Sequence, residues 1–154
     1  MLNDEFFMAE AIKEAEIGAQ NGDFPIGCVL VIDNKIIAKS HNTGYSDENR
    51  LAHAELKVLI EAKSQLEQHK GKATLYSTYE PCPMCFGALI LMKISRVVCG
   101  IDIDQSGCLD LKNHLPAFWK QSKFDFQIKR GVLAKECKDV FKKGKMAGDY
   151  HFDE

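Results

Sequence analysis

The stretch YEPCPMC, residues 79–85, sets Cys82 and Cys85 three positions apart with prolines at 81 and 83. Proline has no N–H to give, so it is at ease in a first helical turn, whose N–H groups lack partners inside the helix. Pro81 and Pro83 therefore mark a helix start, and Cys82 and Cys85 share a face of its first turn. There the unpaired N–H groups and the helix dipole favour thiolate over thiol. Two thiolates on one face are half of a metal site, and zinc is the ion that such a pair usually takes together with nitrogen ligands.

The other half should be a histidine near the start of another element. His53 opens a helical run after a polar loop and is followed two residues later by Glu55; His41 is its nearest rival. Residues two apart on a helix do not lie side by side. His53 and Glu55 thus approach one centre from different directions, so that one can bind metal while the other does something else. One His and two Cys make three ligands, and the chain has no second Cys-x-x-Cys pair. A structural zinc site is closed by four protein ligands, whereas a catalytic one keeps a position for water. The count favours the open kind, with Glu55 placed to take a proton from water and deliver it to a leaving group.

The elements that must position these residues follow from periodicity. Phe7, Ala11, Ile12 and Ala15 have helical spacing over residues 4–20, ended by Asn21-Gly22. PIGCVLVIDNKIIAKSHN contains two β-rich runs joined at Asp33-Asn34, a hairpin. Residues 53–68 return to helical spacing, then ATLYST, CPMCFGALILMKI and RVVCGI form a strand, helix, strand unit whose strands should be parallel. Residues 105–123 are ambiguous, with a short helix and a loop around Pro116; FDFQIKRGVL suggests another strand and 133–145 a last helix. The expected fold is α/β, a three-layer αβα sandwich with a mixed sheet of about five strands and helices on both faces. One domain over residues 1–154 is expected, a length that can bury a core without disulfides.

Composition narrows the setting. Hydrophobic residues at 45% and charged ones at 27% match soluble globular proteins, and the longest apolar stretch, 86–92, is too short for a bilayer. The start, MLNDEFFMAEAIKEAE, has acids where a secretory signal carries basic residues. A cytoplasmic home with reduced thiols is expected, Cys28, Cys99, Cys108 and Cys137 serving as small buried groups. A net charge of −2 argues against broad nonspecific contact with nucleic acid.

HAE at 53–55 and PCPMC at 81–85 resemble the H-x-E…P-C-x-x-C signature of zinc deaminases. From the first helix to about Cys137 the chain is similar to the cytidine deaminase-like superfamily. The nearest branch holds tRNA adenosine deaminases, fungal-type cytosine deaminase and bacterial guanine deaminase. PIGCVLV, the His41-Asn42 pair ahead of HAE, and TYEPCPMC carry the likeness. The resemblance implies that His53, Cys82 and Cys85 bind Zn2+, that Glu55 shuttles protons, and that Asn42 hydrogen-bonds a polar group of the base. It also implies a pocket lined by Phe24, Ile26 and the backbone around Ala54, and a homodimer paired through the helices that carry the zinc motifs. The reaction implied is hydrolytic: activated water adds to the amino-bearing ring carbon and ammonia departs.

The substrate expectation rests on charge. Where tRNA-acting relatives typically carry a glycine-rich segment, this chain has GIDIDQSGCLDL, with Asp102, Asp104 and Asp110. Such acids repel phosphate, and Asp104 can accept hydrogen bonds from the N–H edge of cytosine or guanine. The tail Tyr150-His151-Phe152-Asp153 resembles the lids of the cytosine and guanine deaminases, so residues 144–154 are expected to cover the site. A free nucleobase or nucleoside is therefore expected first, and an adenosine of the tRNA anticodon loop second. Two rivals of other classes are a noncatalytic zinc module, which needs a fourth protein ligand, and a thioredoxin-like oxidoreductase, which would use its Cys-x-x-Cys without HAE.

Overall fold

The computed structural model describes residues 3–101, 108–121 and 126–144. Helix α1, Asp4–Asn21, starts where the Asn3 side chain accepts the Phe6 N–H at 3.1 Å and ends at Gly22 in the left-handed conformation. Strands β1 (Gly27–Ile32) and β2 (Lys35–His41) form the expected hairpin. Asp33 and Asn34 both take positive φ, 48° and 59°, as a two-residue turn matched to strand twist requires. The single helix expected over 53–68 is two, α2 (Ala54–Glu61) and α3 (Lys63–Gln68). The backbone leaves helical geometry at the wholly buried Ala62, and Leu66 beyond it is buried in the core.

Strand β3 (Thr74–Tyr79), helix α4 (Pro83–Leu91) and strand β4 (Arg96–Ile101) make the strand, helix, strand unit, with β3 and β4 parallel. The ambiguous stretch holds a 3-10 helix, Leu109–His114, and a short helix α5, Ala117–Gln121. Strand β5 is only Gln127–Lys129, shorter than its apolar run suggests, and α6 spans Ala134–Lys142. The sheet order is β2-β1-β3-β4-β5, antiparallel across β2-β1-β3 and parallel across β3-β4-β5, so it is mixed as expected.

Side chains alternate across a strand, and here each face of the sheet has its own core. Cys28, Leu30, Leu75, Val97 and Cys99 pack with Ala54, Val58 and Leu59 of α2 and Phe86 and Leu89 of α4. Val29, Val31, Tyr76 and Val98 pack on the other face with Phe7, Met8 and Ala11 of α1 and Cys137 and Phe141 of α6. With both faces covered, β1 is buried throughout, which is why its sequence is a continuous apolar run rather than an alternating one. Gly27 permits the close approach of α1 to β1: a Cβ there would lie 2.0 Å from the Ala11 carbonyl oxygen. Among the described residues no helix is long and apolar enough to cross a membrane.

Candidate active site

The site forms where α2 and α4 begin. His53 is the N-cap of α2 and Cys82 the N-cap of α4, both with extended backbone, and neither side chain caps its own helix. Pro83 occupies the first turn of α4, as the proline spacing implied, and Cys85 follows two residues on. His53 Nδ1 lies 3.6 Å from the sulfur of Cys82 and 3.6 Å from that of Cys85. The three ligand atoms all fall within 4.8 Å of one another, and no fourth His, Cys, Asp or Glu joins them among the described residues. Nitrogen and sulfur held at ordinary zinc bond lengths around a tetrahedral ion stand about 3.6 Å apart. The donor set and its spacing fit Zn2+, with three protein ligands. His41, the rival histidine, is instead bonded to Glu14 at 3.0 Å.

Electrostatics at the helix starts divide the two thiols. Cys82 is pushed down to about 4, first by its hydrogen bond with the Cys85 thiol and then by His53. Cys85 is pushed up by the same pairing and by burial. Glu55, 3% exposed, is raised above the usual carboxylate range by burial, against the lowering pull of its own backbone N–H, His53 and the Cys85 thiol. A carboxyl raised in this way exchanges protons nearer neutral pH, as a proton shuttle requires.

A cavity of about 220 Å³ opens over these groups, lined by Phe24, Ile26, Asn42, His53, Glu55, Tyr79, Glu80, Cys82 and Phe141. It is smaller than the 300–1,000 Å³ or so of a drug-sized site and suits one ring system. The buried Asn42 accepts the Gly44 N–H through Oδ1 at 2.8 Å, which leaves its amide N–H groups to the cavity. Ala54, the first residue of α2, is wholly buried between His53 and Glu55. Asp104 and the tail 145–154 lie outside the described residues; Gly144, where the tail begins, packs against Pro25 in the wall segment 24–26.

Three lining residues escape sequence reasoning. Tyr79 and Glu80 stand beside the zinc motif, and Phe141 belongs to α6; the Tyr79 and Phe141 rings stack at 5.1 Å. Glu80 accepts the Leu109 N–H at 3.1 Å and faces Arg130 at 3.4 Å, tying the 3-10 helix to the pocket. The sequence signal for Phe141 is an apolar pair, Val140-Phe141, in a helix whose other residues are charged except Ala134 and Cys137.

Residues 1–101 match the family model of the cytidine and deoxycytidylate deaminase zinc-binding region. The chain is 41% identical over 140 residues to the tRNA-specific adenosine deaminase of Bacillus subtilis, covering 89% of this chain and 85% of that protein. A tRNA-specific adenosine deaminase of Streptococcus pyogenes is 35% identical over 88% of this chain and 79% of its own. A structure solved in work on A-to-I editing by tRNA:A34 deaminases at the wobble position matches with a TM-score of 0.77 at 29% identity, over 88% of this chain and 98% of that one. The guanine deaminase of Nitrosomonas europaea, at 20% identity and a TM-score of 0.73, covers 93% of this chain and 85% of its own and shares the fold.

These relatives overturn the expectation of a free nucleobase or nucleoside as substrate. Of the loop acids on which it rested, Asp110 pairs with Arg130 at 3.1 Å, and Asp102 and Asp104 lie outside the described residues. A second cavity beside the first shares Phe24, Asn42 and His53 with it.

Proposed function

This chain belongs to the cytidine and deoxycytidylate deaminase zinc-binding family, a family of zinc-dependent hydrolytic deaminases, and from that premise we propose that it converts adenosine in a tRNA anticodon loop to inosine. The observation that carries this reading is the near full-length likeness to the Bacillus subtilis tRNA-specific adenosine deaminase.

In the proposal His53, Cys82 and Cys85 hold the ion, whose chemistry in such a site is to make water ionise near neutral pH. Glu55 would take one proton from water as the water oxygen adds to C6 of adenine and pass it to the adjacent ring nitrogen, then take the second proton from the new C6 hydroxyl and pass it to the amine, which leaves as ammonia. Atoms balance as adenosine plus water giving inosine plus ammonia. Asn42, its oxygen already engaged by Gly44, donates through its amide N–H to a ring acceptor such as N7 of a purine. Phe24 and Ile26 pack on the base, and the backbone at Ala54 borders it. Residues 1–154 act as one catalytic unit.

The proposal extends to a homodimer. On the outer side of α2 and α4, Leu56, Ile60, Ala88, Leu91 and Met92 line a mostly apolar groove that Lys63 borders, with Ile60 and Leu91 each 66% exposed. An apolar patch of this kind on a soluble chain marks a contact surface. Sedimentation as a dimer rather than as a 17.3 kDa monomer checks it.

The substrate test is ammonia release by the zinc-loaded protein. An anticodon stem-loop RNA with adenosine at the first anticodon position should be converted to its inosine form, with free cytosine, guanine and their nucleosides unreacted. Turnover of free bases with none of the RNA would overturn the proposal.

A further inference from the structure

In the proposed reaction the base is held by Asn42, which stands one residue beyond the end of β2. β2 is an edge strand, hydrogen-bonded to β1 alone. Its last paired residue is His41, opposite Gly27, and the Asn42 N–H then donates to the Ile26 carbonyl at 3.0 Å. A strand end joined on one side only opens more readily than one inside a sheet. The aim of the Asn42 amide therefore depends on what else holds His41.

Neighbouring residues of a strand point to opposite faces. Asn42 points into the pocket on the α2 face, so His41 points to the α1 face, as do Val29 and Val31 in step with its partner Gly27. There it meets Glu14 of α1. The Glu14 carboxylate, 7% exposed, accepts His41 Nδ1–H through Oε2 at 3.0 Å and reaches Lys39 Nζ, two residues back on the same face of β2, with Oε1 at 3.6 Å. Burying a charge costs free energy unless it is paired and hydrogen-bonded, and Glu14 meets both needs on one strand end. Gly18, one turn further along α1, lets the helix close on the same segment. A Cβ there would stand 3.1 Å from the Phe24 carbonyl oxygen, 3.6 Å from His41 Cβ and 3.7 Å from the Asn42 carbonyl oxygen. Helix α1 thus presses on the backbone of two pocket residues, Phe24 and Asn42, and grips one of them through a buried acid.

We propose that Glu14 is a positioning residue for the deamination: through His41 it fixes the end of β2, and with it the angle at which the Asn42 amide meets the base. The inference rests on the proposed reaction and adds to it two residues that act through a third. A base held at a slightly wrong angle presents its ring carbon poorly to the attacking oxygen, so a small displacement of Asn42 is enough to slow the reaction.

Steady-state deamination by the zinc-loaded full chain tests it, on the anticodon stem-loop RNA and on the same RNA with 7-deazaadenosine at the reacting position. The 7-deaza base has carbon in place of N7, so the Asn42 amide has no ring acceptor there. Glu14→Ala and His41→Ala should each lower kcat/KM on the adenosine RNA about tenfold. Glu14→Gln, whose amide oxygen still accepts from His41, should stay within about twofold of wild type. On the 7-deaza RNA, and in an Asn42→Ala background, the two alanine substitutions should cost less than about twofold, because the contact they act through is already gone. Should Glu14→Ala fail to fold, His41→Ala carries the test alone. Equal losses on both RNAs and in both backgrounds, wild-type kcat/KM in the alanine variants, or a Glu14→Gln as slow as Glu14→Ala would overturn the inference and leave the function standing. Wild type that does not convert the adenosine RNA would overturn the proposed function, and the inference with it.

Discussion

Two clusters of buried polar groups lie on this sheet and differ in how their hydrogen bonds are met. On the α1 face the Asp4 carboxylate receives Tyr76 Oη at 2.9 Å, Arg96 at 2.7 and 2.9 Å, and Lys129 Nζ at 2.6 Å. It fastens α1 to β3, β4 and β5. The hydrogen bond from Arg96, then those from Lys129 and Tyr76, hold it well below the usual carboxylate range. On the α2 face Glu55 is just as buried but is raised, and its neighbours are two sulfurs and an imidazole around a common point beneath a cavity. A buried acid surrounded by donors is finished structure; a buried acid left protonatable over a pocket is equipment for chemistry.

That contrast can be broken by substitution. Glu55→Gln should keep zinc at one ion per chain and keep the melting temperature, while deamination falls by roughly 10²–10⁴-fold, the usual size of a proton-transfer contribution. A variant within a few fold of wild type would remove Glu55 from the reaction. Asn42→Ala should act at an intermediate level, lowering kcat/KM about 10–100-fold, as loss of one hydrogen bond to the base predicts. The loss should shrink on a purine lacking the ring acceptor; an equal loss on both bases would return Asn42 to a loop-forming role with Gly44.

Asp4→Asn should do the reverse of Glu55→Gln, leaving turnover of the folded enzyme intact and costing about 1.5–3 kcal/mol of stability at pH 7. The sign with pH follows from the depressed carboxyl. Its folded value lies below 3.8, so its contribution is present above that pH and is lost as pH falls through the folded value. The stability gap between wild type and Asp4→Asn, read from urea midpoints, should therefore narrow below about pH 4. A gap that stays constant down to pH 2 would show that Asp4 acts through shape rather than charge.

The placement of His53, Cys82 and Cys85 was legible in sequence because it depends on rigid, local features. Prolines at 81 and 83 announce a helix start, and His53 and Cys82 do occupy the N-cap positions of α2 and α4. The hairpin was equally plain, since Asp33 and Asn34 tolerate positive φ. What sequence could not supply was facing. Phe141 reaches the pocket from a helix far along the chain, and nothing local distinguishes it from the core residue Val140. The loop acids suggest repulsion toward phosphate, yet Asp110 is paired with Arg130. The break at Ala62 was invisible for a related reason: helical spacing persists on both sides of it.

The central claim is a zinc ion held by one imidazole and two thiolates at the starts of two helices, and X-ray absorption at the zinc edge of the purified protein tests it most directly. The account predicts two sulfurs at about 2.3 Å and two lighter ligands at about 2.0–2.1 Å, one of them a histidine and the other exchangeable with solvent. A third sulfur, a second histidine, or a shell without sulfur would contradict it.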